Sequence, residues 1–244
     1  MNISLMHFDP NYLGGTFLLY FFMVYLLKYI IFLIVIKKSS HYNIYCAKKY
    51  SFLSLLSIDY LLSSKFKDML DFYQLDNKTK TKSNLIKSFN LSNLLLTFTI
   101  LIASIISVNY NFHITFFLWL CSIRFISRLI EISLAFYRDV IIEPERIKLE
   151  DGSLNKFSRI KLAVNSYVEV FLISASLYTF TFKIGTAGLF TSLNLSFGVG
   201  TLTNTSALLN RFNNPYLETL MYLQIFTTLV LVIMSFAIYI SRDK

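Results

Sequence analysis

The chain has 244 residues, of which 55% are hydrophobic and only 15% are charged. This composition is too apolar for an ordinary soluble domain and predicts an integral membrane protein. The net charge of +9 would suit a nucleic-acid-binding surface, but the lysines and arginines fall mainly in two loops between apolar segments, so we expect no nucleic-acid partner.

Five apolar segments are long enough to cross a bilayer, for which a helix needs roughly 20 residues. They cover residues 13–36, 91–108, 114–137, 162–182 and 216–241. We therefore expect an all-α membrane protein with five transmembrane helices.

The loops between these segments differ in charge. Residues 37–87 and 138–161 are rich in Lys and Arg, whereas the N-terminal tail, the link at 109–113 and residues 183–214 carry few basic side chains. The positive-inside rule then predicts a multi-pass protein of the cell membrane with its N-terminus outside and its C-terminus in the cytoplasm.

The long basic loop has two interpretations. Its stretch 50–73 alternates apolar and charged residues, which suits an amphipathic helix on the anionic inner leaflet, and a cytoplasmic helical hairpin fits equally well. We expect anionic lipids as partners of the 37–87 loop. The lysines at alternate positions in 77–83 predict a solvated linker.

Charged residues inside the spans form one candidate site. Arg124 and Arg128 lie in the third span with Glu131 close by, and Glu169 lies at a similar depth in the fourth. Because an isolated charge in the membrane is costly, we predict that Glu169 pairs with Arg128 or Arg124 in a structural ion pair. Two arginines four residues apart fall short of the repeated pattern of a voltage sensor. Lys28 either snorkels inward or meets a partner that the sequence does not identify.

A Gly-x-Gly segment, residues 196–200, lies between the last two spans. It reads Ser196, Phe197, Gly198, Val199 and Gly200. The whole chain has only seven glycines, and 187–195, just before this segment, could form a short helix. An ion-selectivity filter needs such residues, because its backbone carbonyls must turn towards a cation. The alternative is an ordinary turn in a protein that is not a channel.

From about residue 162 onward, the order of long helix, short helix, Ser-Phe-Gly-Val-Gly and long helix resembles the pore domain of two-helix bacterial potassium channels. Their filter usually reads Thr-Val-Gly-Tyr-Gly-Asp. The runs at 165–169 and 175–178 are similar to the outer helix of ion-channel-like proteins from low-GC Gram-positive bacteria, which also carry extra helices before the pore and an Arg-rich stretch like 124–139. Phe197, Val199 and Thr201 depart from the usual filter residues Val, Tyr and Asp, while Ser196 keeps the hydroxyl of the usual Thr.

The resemblance implies a homotetrameric cation channel in which four copies of the Gly-x-Gly segment line the pore and potassium is the expected permeating ion. It divides the chain into an accessory region (1–137), a cytoplasmic linker (138–161) and a pore domain (162–244). Candidate pore-lining residues on the last helix are Gln224, Thr227, Thr228 and Ser235, for which hydrogen bonding between helices is the alternative.

Other function classes find less support. The sequence offers no nucleophile with an adjacent base and no phosphate-cradling loop, so we expect neither enzymatic activity nor a cofactor. The alternative to a channel is a non-conducting membrane scaffold or channel partner that keeps a degenerate pore fold. A small transporter ranks third, because no internal repeat is evident.

Overall fold

The computed structural model describes residues 11–37, 57–70, 77–137, 156–182, 189–203 and 215–240. Within these ranges all regular structure is helical, as the sequence predicts, and no strand occurs. Seven helices follow one another along the chain: α1 (Asn11–Lys37), α2 (Ile58–Leu70), α3 (Lys78–Tyr110), α4 (Ile114–Phe136), α5 (Lys156–Phe182), α6 (Leu189–Gly200) and α7 (Pro215–Ile240).

Three of these helices are long and apolar enough to cross a membrane: α1, α3 and, in α5, Ser158–Phe180. The chain is therefore membrane-embedded. Helix α4 carries three charged side chains, Arg124, Arg128 and Glu131, and α7 is apolar over a shorter stretch, Glu218–Ile233. Both are helices where the sequence predicts spans.

Helix α3 begins well before its apolar part. The prediction of a solvated linker at 77–83 is wrong, because α3 starts at Lys78 and Asn77 O accepts hydrogen bonds from Thr81 N at 3.0 Å and Thr81 Oγ1 at 3.1 Å. Thr81 and Ser83 are buried, so these first turns already pack against the rest of the protein. The 33 residues of α3 span about 50 Å, which exceeds a hydrocarbon core of about 30 Å. Helix α5 likewise begins at Lys156, within the predicted linker 138–161.

Helix α1 has a single buried stripe. Every fourth residue from Thr16 to Ile36 is buried: Thr16, Tyr20, Val24, Lys28, Phe32 and Ile36. Most of the remaining surface consists of exposed Phe, Leu, Ile and Tyr side chains. This pattern is typical of a helix at the edge of a membrane bundle that turns one narrow face to its neighbours.

Two hydrophobic clusters hold the helices together. One contains residues of α3 to α7, among them Ile100, Cys121, Ile173, Val199 and Leu231. The other contains residues of α1 to α4, and is built around Tyr20, Leu62, Phe66, Leu85 and Leu120. Helices α3 and α4 contribute to both clusters, so one continuous packing scheme crosses the predicted boundary between accessory region and pore domain.

Candidate functional sites: a buried charge network and the Gly-x-Gly segment

Arg124 lies at the centre of a buried polar cluster. Its side chain is 0% exposed, and its guanidinium donates to Glu169 Oε1 at 2.5 Å, to Tyr20 OH at 3.1 Å and to Asp59 Oδ1 at 3.3 Å. One side chain of α4 thus contacts α1, α2 and α5. Because a guanidinium carries five N–H donors in a rigid fork, it suits such a junction better than a lysine would.

Helix α3 completes the surroundings of this arginine. Arg124 Nη2 donates to Asn93 O at 2.9 Å and to Thr97 Oγ1 at 3.2 Å, and Nε lies 3.3 Å from the same hydroxyl oxygen. Thr97 Oγ1 also donates to Glu169 Oε1 at 3.2 Å. Five helices therefore meet at one buried cation.

Glu169 contacts both arginines that the sequence offers as its partners. Its Oε1 binds Arg124, and its Oε2 accepts from Arg128 Nη2 at 2.7 Å. Arg128 also pairs through Nη1 with Glu131 Oε2, three residues further along α4. Glu131 Oε1 in turn accepts from Ser63 Oγ of α2 at 3.2 Å.

Lys28 has a partner that the sequence does not reveal. Its Nζ donates to Asp59 O and to Ser63 Oγ, both at 2.7 Å, and lies 3.5 Å from Asp59 Oδ1. Both side chains are fully buried, so Lys28 does not snorkel to the surface. The available signal was charge balance away from the ends of the spans, since three cations there face only two acids, Glu131 and Glu169.

Asp59 is held from several sides. Tyr20 OH and Ser127 Oγ both donate to Asp59 Oδ2, the latter at 2.7 Å, and Asp59 N donates to Ser127 Oγ at 3.2 Å. Ser57 Oγ donates to Ser127 O at 2.7 Å. The first turn of α2 is thereby fixed against α4 and α1. Neither interpretation made from the sequence, a surface helix or a cytoplasmic hairpin, includes this buried contact.

We call the six charged residues the charge network: Lys28, Arg124, Arg128, Asp59, Glu131 and Glu169. Three cations face three carboxylates, so its formal charge is zero. Removing one member of a buried ion pair typically costs about 3–5 kcal/mol, because it leaves an uncompensated charge behind. The arrangement is suited to joining helices. Among the described residues, no group of His, Cys, Asp and Glu side chains could hold a metal ion.

The Gly-x-Gly segment is helical. Helix α6 runs from Leu189 through Gly200, and no glycine among the described residues has a positive φ. The prediction that the short helix ends at Leu195 is therefore wrong, and in the described chain residues 196 to 200 do not have the non-helical backbone that a filter needs. The physical reason is that the segment continues the i to i−4 backbone hydrogen bonds of α6 and packs its small residues against neighbouring helices.

A helix cap closes the segment. Three backbone N–H groups donate to its carbonyl oxygens: Thr201 N to Phe197 O at 2.9 Å, Leu202 N to Val199 O at 3.1 Å, and Thr203 N to Gly198 O at 2.9 Å. The last two bonds, with Leu202 at φ 62°, form a Schellman motif. These carbonyl oxygens thus have hydrogen-bond donors in the turn that follows α6.

Helix α7 supplies the donor for the first carbonyl of the segment. Gln224 Nε2 donates to Ser196 O at 2.7 Å, and Gln224 Oε1 accepts from Tyr178 OH of α5 at 3.0 Å. Ser196 Oγ donates to Phe171 O at 2.8 Å. This chain of hydrogen bonds joins α5, α6 and α7 within a single copy of the protein.

The candidate pore-lining residues are buried between helices in the described chain. Gln224, Thr227 and Thr228 are each at most 2% exposed. Thr227 Oγ1 donates to Leu223 O at 2.7 Å and Thr228 Oγ1 to Ile225 O at 2.9 Å, so both hydroxyls bond to their own helix. The side chain of Ser235 lies outside the described residues.

Close packing explains at least one of the glycines. A Cβ built on Gly200 would lie 2.1 Å from Cε1 of Phe171, a distance at which atoms overlap. Ser192, Ser196 and Gly200 recur every fourth residue and are all buried, which is the small-residue spacing of close helix contacts in membranes. This spacing of four is visible in the sequence and indicates a close helix contact, whereas the Gly-x-Gly pattern by itself indicates a filter.

No family model, curated protein or solved structure matches the chain.

Proposed function

We propose that the chain is a non-conducting membrane protein, a scaffold or channel partner, that keeps the helix order of a pore region without an open filter. The observation that carries this proposal is the hydrogen bonding of the Gly-x-Gly segment. The carbonyl oxygens of residues 196 to 199 accept from Gln224 Nε2, Thr201 N, Thr203 N and Leu202 N. A filter needs those oxygens free to replace the hydration shell of an ion.

The free energy needed to release these carbonyl oxygens from their hydrogen-bond donors supports the same conclusion. A hydrogen bond contributes a net of about 0.5–1.5 kcal/mol, so releasing four would cost about 2–6 kcal/mol before any ion bound. The buried serine and glycine contacts of α6 with α5 would also be lost.

We place the protein in the cell membrane as a multi-pass protein with five spans, α1, α3, α4, α5 and α7, its N-terminus outside and its C-terminus in the cytoplasm. The neutral charge network supports α4 as a span, because each of its three charged side chains has a partner of opposite charge. The lysines of α2 and of the first turns of α3 would then meet anionic lipids on the inner side.

A homotetrameric cation channel, with potassium as the expected ion, is the second candidate. The position of α6 favours it: with 12 residues, about 18 Å, it is too short to cross a membrane, yet it packs against both α5 and α7. Conduction would require the last turn of α6 to unwind in the assembled tetramer so that residues 196 to 200 face the axis. Four copies are needed, since one chain supplies only a quarter of a carbonyl ring.

Ion flux from liposomes that contain the purified protein separates the two candidates. We expect no potassium or sodium efflux above that of protein-free liposomes, with flotation of the proteoliposomes as the control for insertion. Efflux that rises with the amount of protein, and that Gly198→Ala abolishes, would overturn the scaffold proposal in favour of the channel.

A further inference from the structure

Helix α2 has an unusual position for a helix of its size. It has 13 residues and a length of about 20 Å, which is too short to cross a hydrocarbon core of about 30 Å. Nevertheless, Asp59 in its first turn is fully buried against α1 and α4.

The partners of Asp59 show how deep this first turn lies. Tyr20 and Lys28 sit four residues on either side of Val24, the middle residue of α1. Arg124, which also contacts Asp59, binds Glu169, the middle residue of the apolar stretch Ser158–Phe180 in α5. Two independent membrane helices therefore put Asp59 at about the middle of the bilayer.

The other end of α2 points to one surface. Phe66 packs against Phe32 near the C-terminal end of α1, with ring centroids 5.1 Å apart, and against Phe89 in the first half of α3 at 6.2 Å. From Asp59 to Leu70 the helix rises by about 16 Å, roughly half of the hydrocarbon core. Lys65 is the exposed charge on this stretch, and its long side chain can carry the ammonium to the interface.

The buried start of α2 also meets the requirement for a helix end inside a membrane. Backbone donors at such an end must bond within the protein, because no water is present. Tyr60 N donates to Ser57 Oγ and Asp59 N to Ser127 Oγ, both at 3.2 Å.

We propose that α2 is a re-entrant half-helix that enters from the side where α1 ends and α3 begins, and that Asp59 latches its first turn at mid-membrane depth. The latch depends on charge. With Asp59 in place the charge network is neutral; without it, Lys28 and Arg124 share one fewer carboxylate and α2 loses its ionic contacts with α1 and α4.

Cysteine accessibility tests whether Asp59 holds α2 in its buried position against α1 and α4. Leu62, which is buried on the inner face of α2, is replaced by Cys in a chain carrying Cys46→Ser and Cys121→Ala, and Asn84→Cys on the exposed part of α3 serves as the reactive reference. We expect a membrane-impermeant maleimide, applied to either side of proteoliposomes, to label Leu62→Cys at least about tenfold more slowly than Asn84→Cys. Adding Asp59→Asn should remove that protection, while Asp68→Asn on the same helix should retain it. Labelling of Leu62→Cys as fast as the reference without Asp59→Asn would overturn the proposal.

A double substitution keeps the latch testable if Asp59→Asn prevents folding. Asp59→Asn leaves the charge network at +1 and Lys28→Met leaves it at −1, whereas the two together restore neutrality. We expect each single variant to lose most of the monodisperse protein in detergent and the double variant to recover a large part of it. A double variant no better than the worse single one would contradict the latch. Neither readout depends on whether the protein conducts ions.

Discussion

Gly200 illustrates how one missing side chain sets the distance between two helices. The ring of Phe171 occupies the space that a Cβ on Gly200 would need, and Phe171 in turn stacks on Phe197 with ring centroids 5.1 Å apart. Tyr167 closes the other side of that ring, edge to face, at 4.5 Å. The ring therefore has little room to move aside.

We predict that Gly200→Ala lowers the free energy of unfolding by about 1–3 kcal/mol, the usual cost of overpacking a filled core. Gly15→Ala is the matched control: Gly15 is exposed in α1 with nothing within 4 Å of a built Cβ, so alanine there should be neutral or stabilising by up to about 1 kcal/mol. Thermal unfolding in detergent measures both. Equal stability of the two variants would mean that α5 and α6 do not approach each other as described.

Helix α4 carries three of the six residues of the charge network, so its stability depends on the oppositely charged side chains around it. It carries Arg124, Arg128 and Glu131, and each has a counter-charge in the charge network. Glu169 on α5 is the acid that contacts two of these residues, so it joins α4 to α5 while Thr97 brings in α3.

We predict that Glu169→Gln destabilises the protein by about 3–5 kcal/mol, because two buried guanidinium groups lose their shared carboxylate. Glu169→Lys should be worse still, with partial recovery in the double variant with Arg128→Glu. Glu218→Lys, at a half-buried site in the first turn of α7, is the control and should change stability little. The fraction of monodisperse protein after heating is the readout. Failure of both Arg128→Glu and Arg124→Glu to rescue Glu169→Lys would count against the pairing.

How well each helix can be predicted depends on which property of the sequence marks it. Hydropathy locates both ends of α1, α4 and α7 and the C-terminal ends of α3 and α5 to within about two residues, because burial in lipid depends on composition. The first turns of α3 escape it, since their lysines resemble a solvated loop. The alternation of apolar and charged residues does predict a helix where α2 lies, but it does not indicate that the start of α2 is buried. Asp59 is buried only because Lys28 and Arg124, far away in sequence, neutralise it, and a local window of sequence does not carry that information.

For the whole molecule, the central distinction is between an open ring of carbonyls and a closed helix. The sequence pattern of the Gly-x-Gly segment favours the first, and the described single chain has the second. Local sequence does not decide between them, because the same small residues serve a filter and a close helix contact. Two tertiary contacts favour the helix. Gln224 of α7 donates to Ser196 O, and Phe171 of α5 packs on Gly200.

Glycine spectroscopy tests this claim most directly. The chain has only seven glycines, so solid-state NMR of protein labelled with ¹³C at glycine alone gives few signals, and single replacements assign those of Gly198 and Gly200. In lipid bilayers we predict helical carbonyl and Cα shifts for both residues, unchanged when potassium replaces sodium. Extended-backbone shifts for Gly198 and Gly200, or shifts that move with potassium, would contradict the account.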